Sequence, residues 1–310
     1  MGFISEIFGY VLNFLYETIN NYGLAIIIFS VLLRLILVPI TIKQQQTMKK
    51  TAKLQEKMKD IQEKYKNNPE KLNQETINLY KTEKMSPFSG CFSAILQLLI
   101  ILSVFWLVSQ PLTYMKRVNK DENLKAVVEE IKTKISEENE GRRTNYVEIE
   151  VISRIEQYYN EINEQLQQED IENREELENK KEQYEDLRIN MEFLGLDLSK
   201  VPTQNLNDWR VYVIPVLYVL TSFISIKITT MSQKKQKVEQ KENDNQDELM
   251  DSIGQMNNSM LYMAPIMSIS IAIIAPLGLA LYWFVSNILI IIERIIINKF
   301  IGSKGEEENE

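Results

Sequence analysis

Histidine is absent from the 310 residues and cysteine occurs once, at Cys91. Without histidine there is no Ser-His-Asp or Cys-His nucleophile pair and no imidazole base titrating near neutrality. A structural zinc site of Cys and His ligands cannot be assembled, and one thiol cannot close an intramolecular disulfide. Phosphate-loop, H-E-x-x-H and G-x-S-x-G patterns are missing too, and no span carries the Asp pair of an intramembrane protease. The chain is therefore read as a non-enzyme with no cofactor and no metal. Cys91, between Gly90 and Phe92, reads as a small apolar residue at the entrance to a span.

A mean hydropathy of −0.21 and a net charge of −8 describe an acidic soluble protein, but charge and apolar residues occupy different stretches. A helix needs about 20 largely apolar residues to cross the hydrocarbon core. From Asn20 to Ile42 the only charge is Arg34, and from Met85 to Met115 there is none. Sixteen uncharged residues lie between Arg210 and Lys227, with Trp209 and Tyr212 as interfacial aromatics. The run from Ser252 to Ile292 is 41 residues, about two crossings, with Pro276-Leu277-Gly278 as the turn signal. These runs predict an all-α polytopic membrane protein with five spans: 22–42, 87–110, 209–228, 258–275 and 277–298.

Residues 1–21 read as an interfacial amphipathic helix with Phe3, Ile4, Ile7, Phe8, Val11, Leu12 and Leu15 on its apolar face. They show neither a basic start nor an A-x-A site, so they are not expected to be a cleaved signal peptide. Segment 43–86 holds eleven lysines and six acids and breaks at Asn67-Asn68-Pro69. Stripes Leu54, Met58, Ile61, Tyr65 and Leu72, Ile77, Leu79, Tyr80 predict an antiparallel helical hairpin. It either touches anionic headgroups, ribosomal RNA or a client chain, or is a solvated linker whose lysines enforce topology.

Residues 111–208 hold fourteen basic and twenty-four acidic residues and three heptad-like seams. These seams are Leu124, Val128, Ile131, Ile135; then Ile152, Ile155, Tyr159, Ile162, Leu166; then Leu177, Tyr184, Leu187, Met191, Leu194. A turn is expected over 137–145. The lysine bias of 43–86 and of the loop 229–257 places both in the cytoplasm, with the tail 299–310. The N-terminus and the acidic insert then lie outside, since loops longer than about 60 residues cross largely regardless of charge.

Arg34 lies near mid-membrane, where an arginine costs roughly 2.5–3.5 kcal/mol on insertion scales. It should face a bundle interior or water, and the acid nearest in prospect, Glu293, is too shallow by helical rise. Ser30, Ser93, Gln97, Ser103, Thr221, Ser225 and Asn287 are further polar intramembrane positions. A serine or threonine there is normally satisfied by its own helix, whereas an amide needs several partners. Trp283 reads equally as an interfacial anchor or a pocket wall.

The stretches GLAIIIFSVLLRLILVPITIKQQQTMKKTAKLQEKMKDIQEKY, MSPFSGCFSAILQ, FLGLDLSK and MLYMAPIMSISIAIIAPLGLALYWFVSN resemble the YidC/Oxa/Alb membrane protein insertases in their five-span Gram-positive form. The resemblance covers all five spans and the basic hairpin, leaving an insert of about 113–192 unmatched. It implies a hydrophilic groove with Arg34 as its charge and Gln97, Ser225, Trp283 and Asn287 along it. Departures are Gln97-Leu98-Leu99 for a common Gln-Met-Pro, Ser93 for a common proline, and Ser225 near a usual glutamine.

The implied function is insertion of client membrane proteins without nucleotide hydrolysis in a bacterial plasma membrane. A client's short polar tail enters the groove and its apolar segment partitions into lipid. Implied partners are nascent membrane proteins, the ribosome, the Sec translocon and anionic lipids at the hairpin, with no DNA. The alternatives are a small-solute channel or transporter built on the same pocket, and an interaction scaffold that uses the coiled-coil pieces.

Overall fold

The computed structural model describes residues 2–83, 89–138, 146–168, 173–238, 270 and 272–307. The turn expected over 137–145 falls outside these from residue 139, as do nearly all of span 258–275 and the loop from 239. The described chain is helical almost throughout. Among the described residues, three helices are long and apolar enough to cross a membrane, Tyr22–Thr47, Trp209–Ile228 and Leu277–Ile297, and a shorter apolar stretch runs Ile95–Ser109. The protein is an all-α polytopic membrane protein. It divides into two compact units, Leu33–Ser103 and Gly2–Leu32 with the chain from Val104 onward.

Helix α2 (Tyr22–Lys64), which belongs to the first unit from Leu33 on, runs unbroken from the first apolar stretch into the lysine-rich segment, past residue 42 where the span is expected to end. Gln, Lys and Met are good helix formers, so a change of solvent does not end the helix. The stop comes at Pro69, where α3 (Pro69–Thr82) begins. Asn68 caps it by accepting from the Lys71 N–H at 3.1 Å, with proline at the first position. The two arms meet at Thr76 and Met58 (3.6 Å) and at a Lys57–Glu83 ion pair. Ile77, assigned to the apolar stripe, is exposed. Helix α4 (Ser89–Ser109) carries the second apolar stretch.

The second unit starts with α1 (Gly2–Ile19). Asn20 closes α1 in the left-handed region, φ 53, and Asn21 caps α2 by accepting from the Leu24 N–H at 3.0 Å. The face of α1 that packs on protein is Ser5, Gly9, Leu12, Asn13 and Tyr16. Phe3, Ile7, Val11 and Phe14 are exposed. Small residues let backbones approach inside a membrane protein, whereas large apolar ones are left to lipid. Gly9 meets the short helix α5 (Pro111–Tyr114), where a Cβ would lie 2.0 Å from the Tyr114 carbonyl oxygen.

The insert forms α6 (Glu122–Glu138), α7 (Val147–Gln165) and α8 (Arg174–Leu187). Val128, Ile131, Ile135, Ile152, Ile155 and Ile162 are buried, as their seams predict. Arg188 joins α7 to the end of α8 through a two-pronged bond to Glu156, 2.7 and 2.8 Å, and lies 3.9 Å from the Tyr159 ring centroid. The third seam ends early, because Arg188 takes an extended backbone. Met191 is buried outside the helix, and Leu194, fully on the surface, sits in a turn with Gly195 at φ 52 and 75. That turn joins β1 (Glu192–Phe193) to β2 (Leu196–Asp197).

This strap ties the helix ends of the unit together. Asn190 accepts from the Tyr22 N–H at 3.1 Å through its carbonyl, and its own N–H donates to the Tyr16 hydroxyl at 2.8 Å. Phe193 covers Gly23, where a Cβ would lie 2.4 Å from its ring. Carbonyls of Leu198 and Lys200 accept from the Gly278 and Leu277 N–H groups, each at 2.9 Å. They satisfy otherwise orphaned donors at the start of α10 (Leu277–Glu307). Asp208, bonded to Lys200 at 3.2 Å, precedes a 3-10 turn that leads into α9 (Val213–Val238).

Candidate functional site

Arg34 lies twelve residues into α2, about 18 Å along the axis. It is half-buried, between buried Leu33 and Leu37 and exposed Leu35 and Ile36, on the border between a packed and a lipid-facing side. Pro39 within the same helix has no N–H to give the Leu35 carbonyl, which leaves an acceptor one residue beyond Arg34. Gln97 is half-buried on α4, one turn before buried Ile100, while Ile95, Leu98 and Ile101 face outward. Arg34 and Gln97 belong to the first unit, whereas Ser225, Trp283 and Asn287 belong to the second.

The second unit brings Trp283 and Asn287 to where α9 packs on α10. The Asn287 amide donates to the Ser222 hydroxyl at 3.0 Å and to the Thr221 hydroxyl at 3.3 Å. Ser222 donates to the Tyr218 carbonyl at 2.8 Å, and Thr221 to the Tyr218 and Leu217 carbonyls at 2.9 and 3.1 Å. One turn earlier the Trp283 and Tyr218 rings lie 6.2 Å apart, tilted by 35°. Ser225 lies three residues beyond Ser222 and is half-buried. Val216, Leu217, Leu220, Phe223 and Ile224 cover the opposite side of α9 and are exposed. This is a membrane helix with polar groups turned to its neighbour and apolar groups to lipid. The 218–283 and 222–287 pairs advance in the same direction, so α9 and α10 run parallel.

The hydroxyls follow the expected pattern of local satisfaction. Ser30 donates to the Ile26 carbonyl at 2.7 Å and Ser103 to that of Leu99 at 2.8 Å. Ser93 lies outside the residues with described side chains. Sequence reasoning missed Ser222 and Tyr218; the signal was the Tyr-x-x-Thr-Ser spacing, which puts three polar groups on one helical side. It also missed Glu148 of α7, buried against α5, where it accepts from the Thr113 N–H at 3.0 Å and from its hydroxyl at 2.5 Å. Burial raises the Glu148 carboxyl above its ordinary value, against the opposing pull of those Thr113 bonds and of Lys132. Chemically, the α9–α10 pair offers hydroxyls, an amide and aromatic rings within an apolar surround.

The family model of the 60Kd inner membrane protein matches residues 14–304. Among curated proteins, the membrane protein insertase YidC of Caldanaerobacter subterraneus subsp. tengcongensis is 39% identical over 105 residues, 34% of this chain and 51% of the relative. The protein of the same name from Buchnera aphidicola subsp. Baizongia pistaciae is 40% identical over 108 residues, 35% of this chain and 20% of the relative. That of Francisella tularensis subsp. novicida is 37% identical over 108 residues, with the same coverage. The chain thus spans about half, or less, of the length of the curated relatives it matches. With a family match across nearly its whole length and the apolar helices to accompany it, the chain belongs to the 60Kd inner membrane protein family, the YidC/Oxa/Alb family, as a protein embedded in the bacterial cell membrane.

Proposed function

We propose that this protein is a membrane protein insertase. It takes short polar tails of client proteins into a half-depth hydrophilic groove and releases their apolar segments into the bilayer. Arg34 supplies the groove charge, with Gln97, Ser225, Trp283 and Asn287 as its polar and aromatic positions. A carboxylate crossing pure hydrocarbon pays a large desolvation cost; attraction to a guanidinium in a poorly screened site offsets part of it. Apolar burial of the client then provides the driving force, so no nucleotide is consumed. Clients are nascent membrane proteins, with the ribosome and Sec translocon as further partners and anionic lipid at the lysine-rich hairpin.

The observation that carries the reading is the Asn287–Ser222–Thr221 ladder, an amide and two hydroxyls inside an apolar helix pair of a chain whose named relatives are insertases. The parallel course of α9 and α10 supports five spans. A chain that leaves one side on α9 and starts α10 from that side must recross between them, where the sequence places span 258–275. The N-terminus and insert are assigned outside and the C-terminus inside.

Photocrosslinking tests the function. A photoreactive residue at Gln97 or Ser225 is expected to trap a ribosome-stalled nascent membrane protein, while one at lipid-facing Leu220 does not. Solute flux through purified protein without nascent-chain crosslinks would support the channel reading instead.

A further inference from the structure

The turn after α5 carries three cations, Lys116, Arg117 and Lys120, held against α1. Arg117 adopts the left-handed backbone, φ 56, which a non-glycine residue takes at a cost. Its guanidinium lies 4.2 Å from the Tyr10 ring centroid. Lys120 donates to the Tyr10 hydroxyl at 3.4 Å, and Lys116 lies 5.6 Å from the Tyr16 ring centroid. Among the described residues neither Arg117 nor Lys120 pairs with an acid, and Arg117 Nε is buried without a hydrogen-bond partner. Glu17 and Asp186 face Lys116. Neighbouring Asp121 is engaged in capping α6, accepting from the Asn123 and Leu124 N–H groups.

Alongside these cations runs the exposed apolar side of α1, with Phe3 at 74% and Phe14 at 69% exposure and Ile7, Tyr10 and Val11 between them. Tyr10 stands where the apolar side ends and the cations begin. An acidic peptide would leave the aromatic side uncovered. A lipid with an anionic headgroup matches both halves, acyl chains beside Phe3, Ile7 and Phe14 and phosphate beside the cations. All three cations also lie within eleven residues of the end of α4 at Ser109. On the side away from the cytoplasm, basic residues so close to a span run against the usual bias.

We propose that Lys116, Arg117, Lys120 and Tyr10, together with the apolar side of α1, bind an anionic phospholipid in the leaflet on the insert's side. The lipid chemistry stands on the geometry; only the choice of leaflet rests on the orientation proposed above.

Native mass spectrometry of the full chain in detergent, titrated with phosphatidylglycerol or phosphatidylcholine, tests the site. The wild type is expected to retain one more phosphatidylglycerol than the Lys116→Gln/Arg117→Gln/Lys120→Gln variant, with affinity falling roughly five-fold per cation removed. Phosphatidylcholine retention stays equal, and Lys116→Arg/Lys120→Arg keeps the lipid. A spin label at Phe14→Cys, in a Cys91→Ser background, should lie deeper in vesicles containing phosphatidylglycerol than in phosphatidylcholine alone. The triple variant should lose this difference while keeping its helical circular dichroism. Equal phosphatidylglycerol retention by the triple variant, or a label depth indifferent to lipid charge, would overturn the proposal. So would displacement of the lipid by inorganic phosphate alone. An impermeant maleimide on Asn123→Cys reports the leaflet separately, so an inverted orientation and an absent lipid site give different results.

Discussion

Gly9 and Glu148 show how single residues fasten the insert and the first helix to the spans. A methyl group at Gly9 would strike the Tyr114 backbone carbonyl, which cannot rotate away as a side chain can. Gly9→Ala should therefore cost about 1–3 kcal/mol, read as a lower unfolding temperature of the detergent-solubilised protein. The neighbouring exposed position Tyr10→Phe should have little effect on it. Glu148 links α7 to α5 through Thr113. Its carboxyl is raised by burial, so the fold favours the protonated form. Its contribution is fullest below the ordinary carboxylate range and declines as pH rises to the raised value. Thermal stability should accordingly fall across that window, and Glu148→Gln should flatten the fall; an unchanged pH profile would contradict this. Asp208 acts in a lower window and with opposite sign. Arg210, then Lys200, hold its carboxyl well below the usual range, so its contribution is lost only in stronger acid.

At the scale of elements, the α9–α10 pair depends on contacts that are modest one by one. Interhelical hydrogen bonds in membranes average roughly 0.6 kcal/mol, so Asn287→Leu should lower stability only slightly. If clients use the ladder, the same substitution should reduce insertion well beyond what that loss of stability accounts for. A Ser222→Ala/Asn287→Leu double-mutant cycle on unfolding should show a coupling of that small size, and zero coupling would deny the bond. The helices themselves were legible from charge-free runs and seams, because length in a bilayer and period in a bundle are local properties. The packed face of α1 was not. An apolar stripe reads the same whether it faces lipid or protein, and the informative residues were the small ones, Ser5 and Gly9. The strap was missed because strands of two residues are too short to show any period, although Leu194-Gly195 marked its turn. Helix α2 continues past 42, the end expected for the span, because composition changes there while helix propensity does not.

For the whole molecule, one arrangement follows from the strap. Segment 190–200 touches the starts of both α2 and α10, and Asp208, which leads into α9, is bonded to its Lys200. These helix starts share one side, which we propose is the outer one, on the lysine bias of segment 43–86 and loop 229–257. In intact cells an impermeant maleimide should label Cys placed at Glu175 in α8 and leave Cys placed at Asp60 untouched until the membrane is opened. The reverse pattern would invert the orientation. The candidate site was legible only in part. Arg34, Gln97 and Asn287 stand out in sequence because a charge or an amide in hydrocarbon demands an explanation, whereas Ser222 and Tyr218 gain meaning only from facing Asn287 and Trp283, over sixty residues away. The central claim is that Arg34 attracts a client's polar tail. It is tested most directly by insertion of a client with an acidic tail into vesicles holding purified Arg34→Glu protein, beside wild type and Arg34→Lys. The account predicts strong loss with glutamate and partial activity with lysine, and insertion by Arg34→Glu at the wild-type level would contradict it.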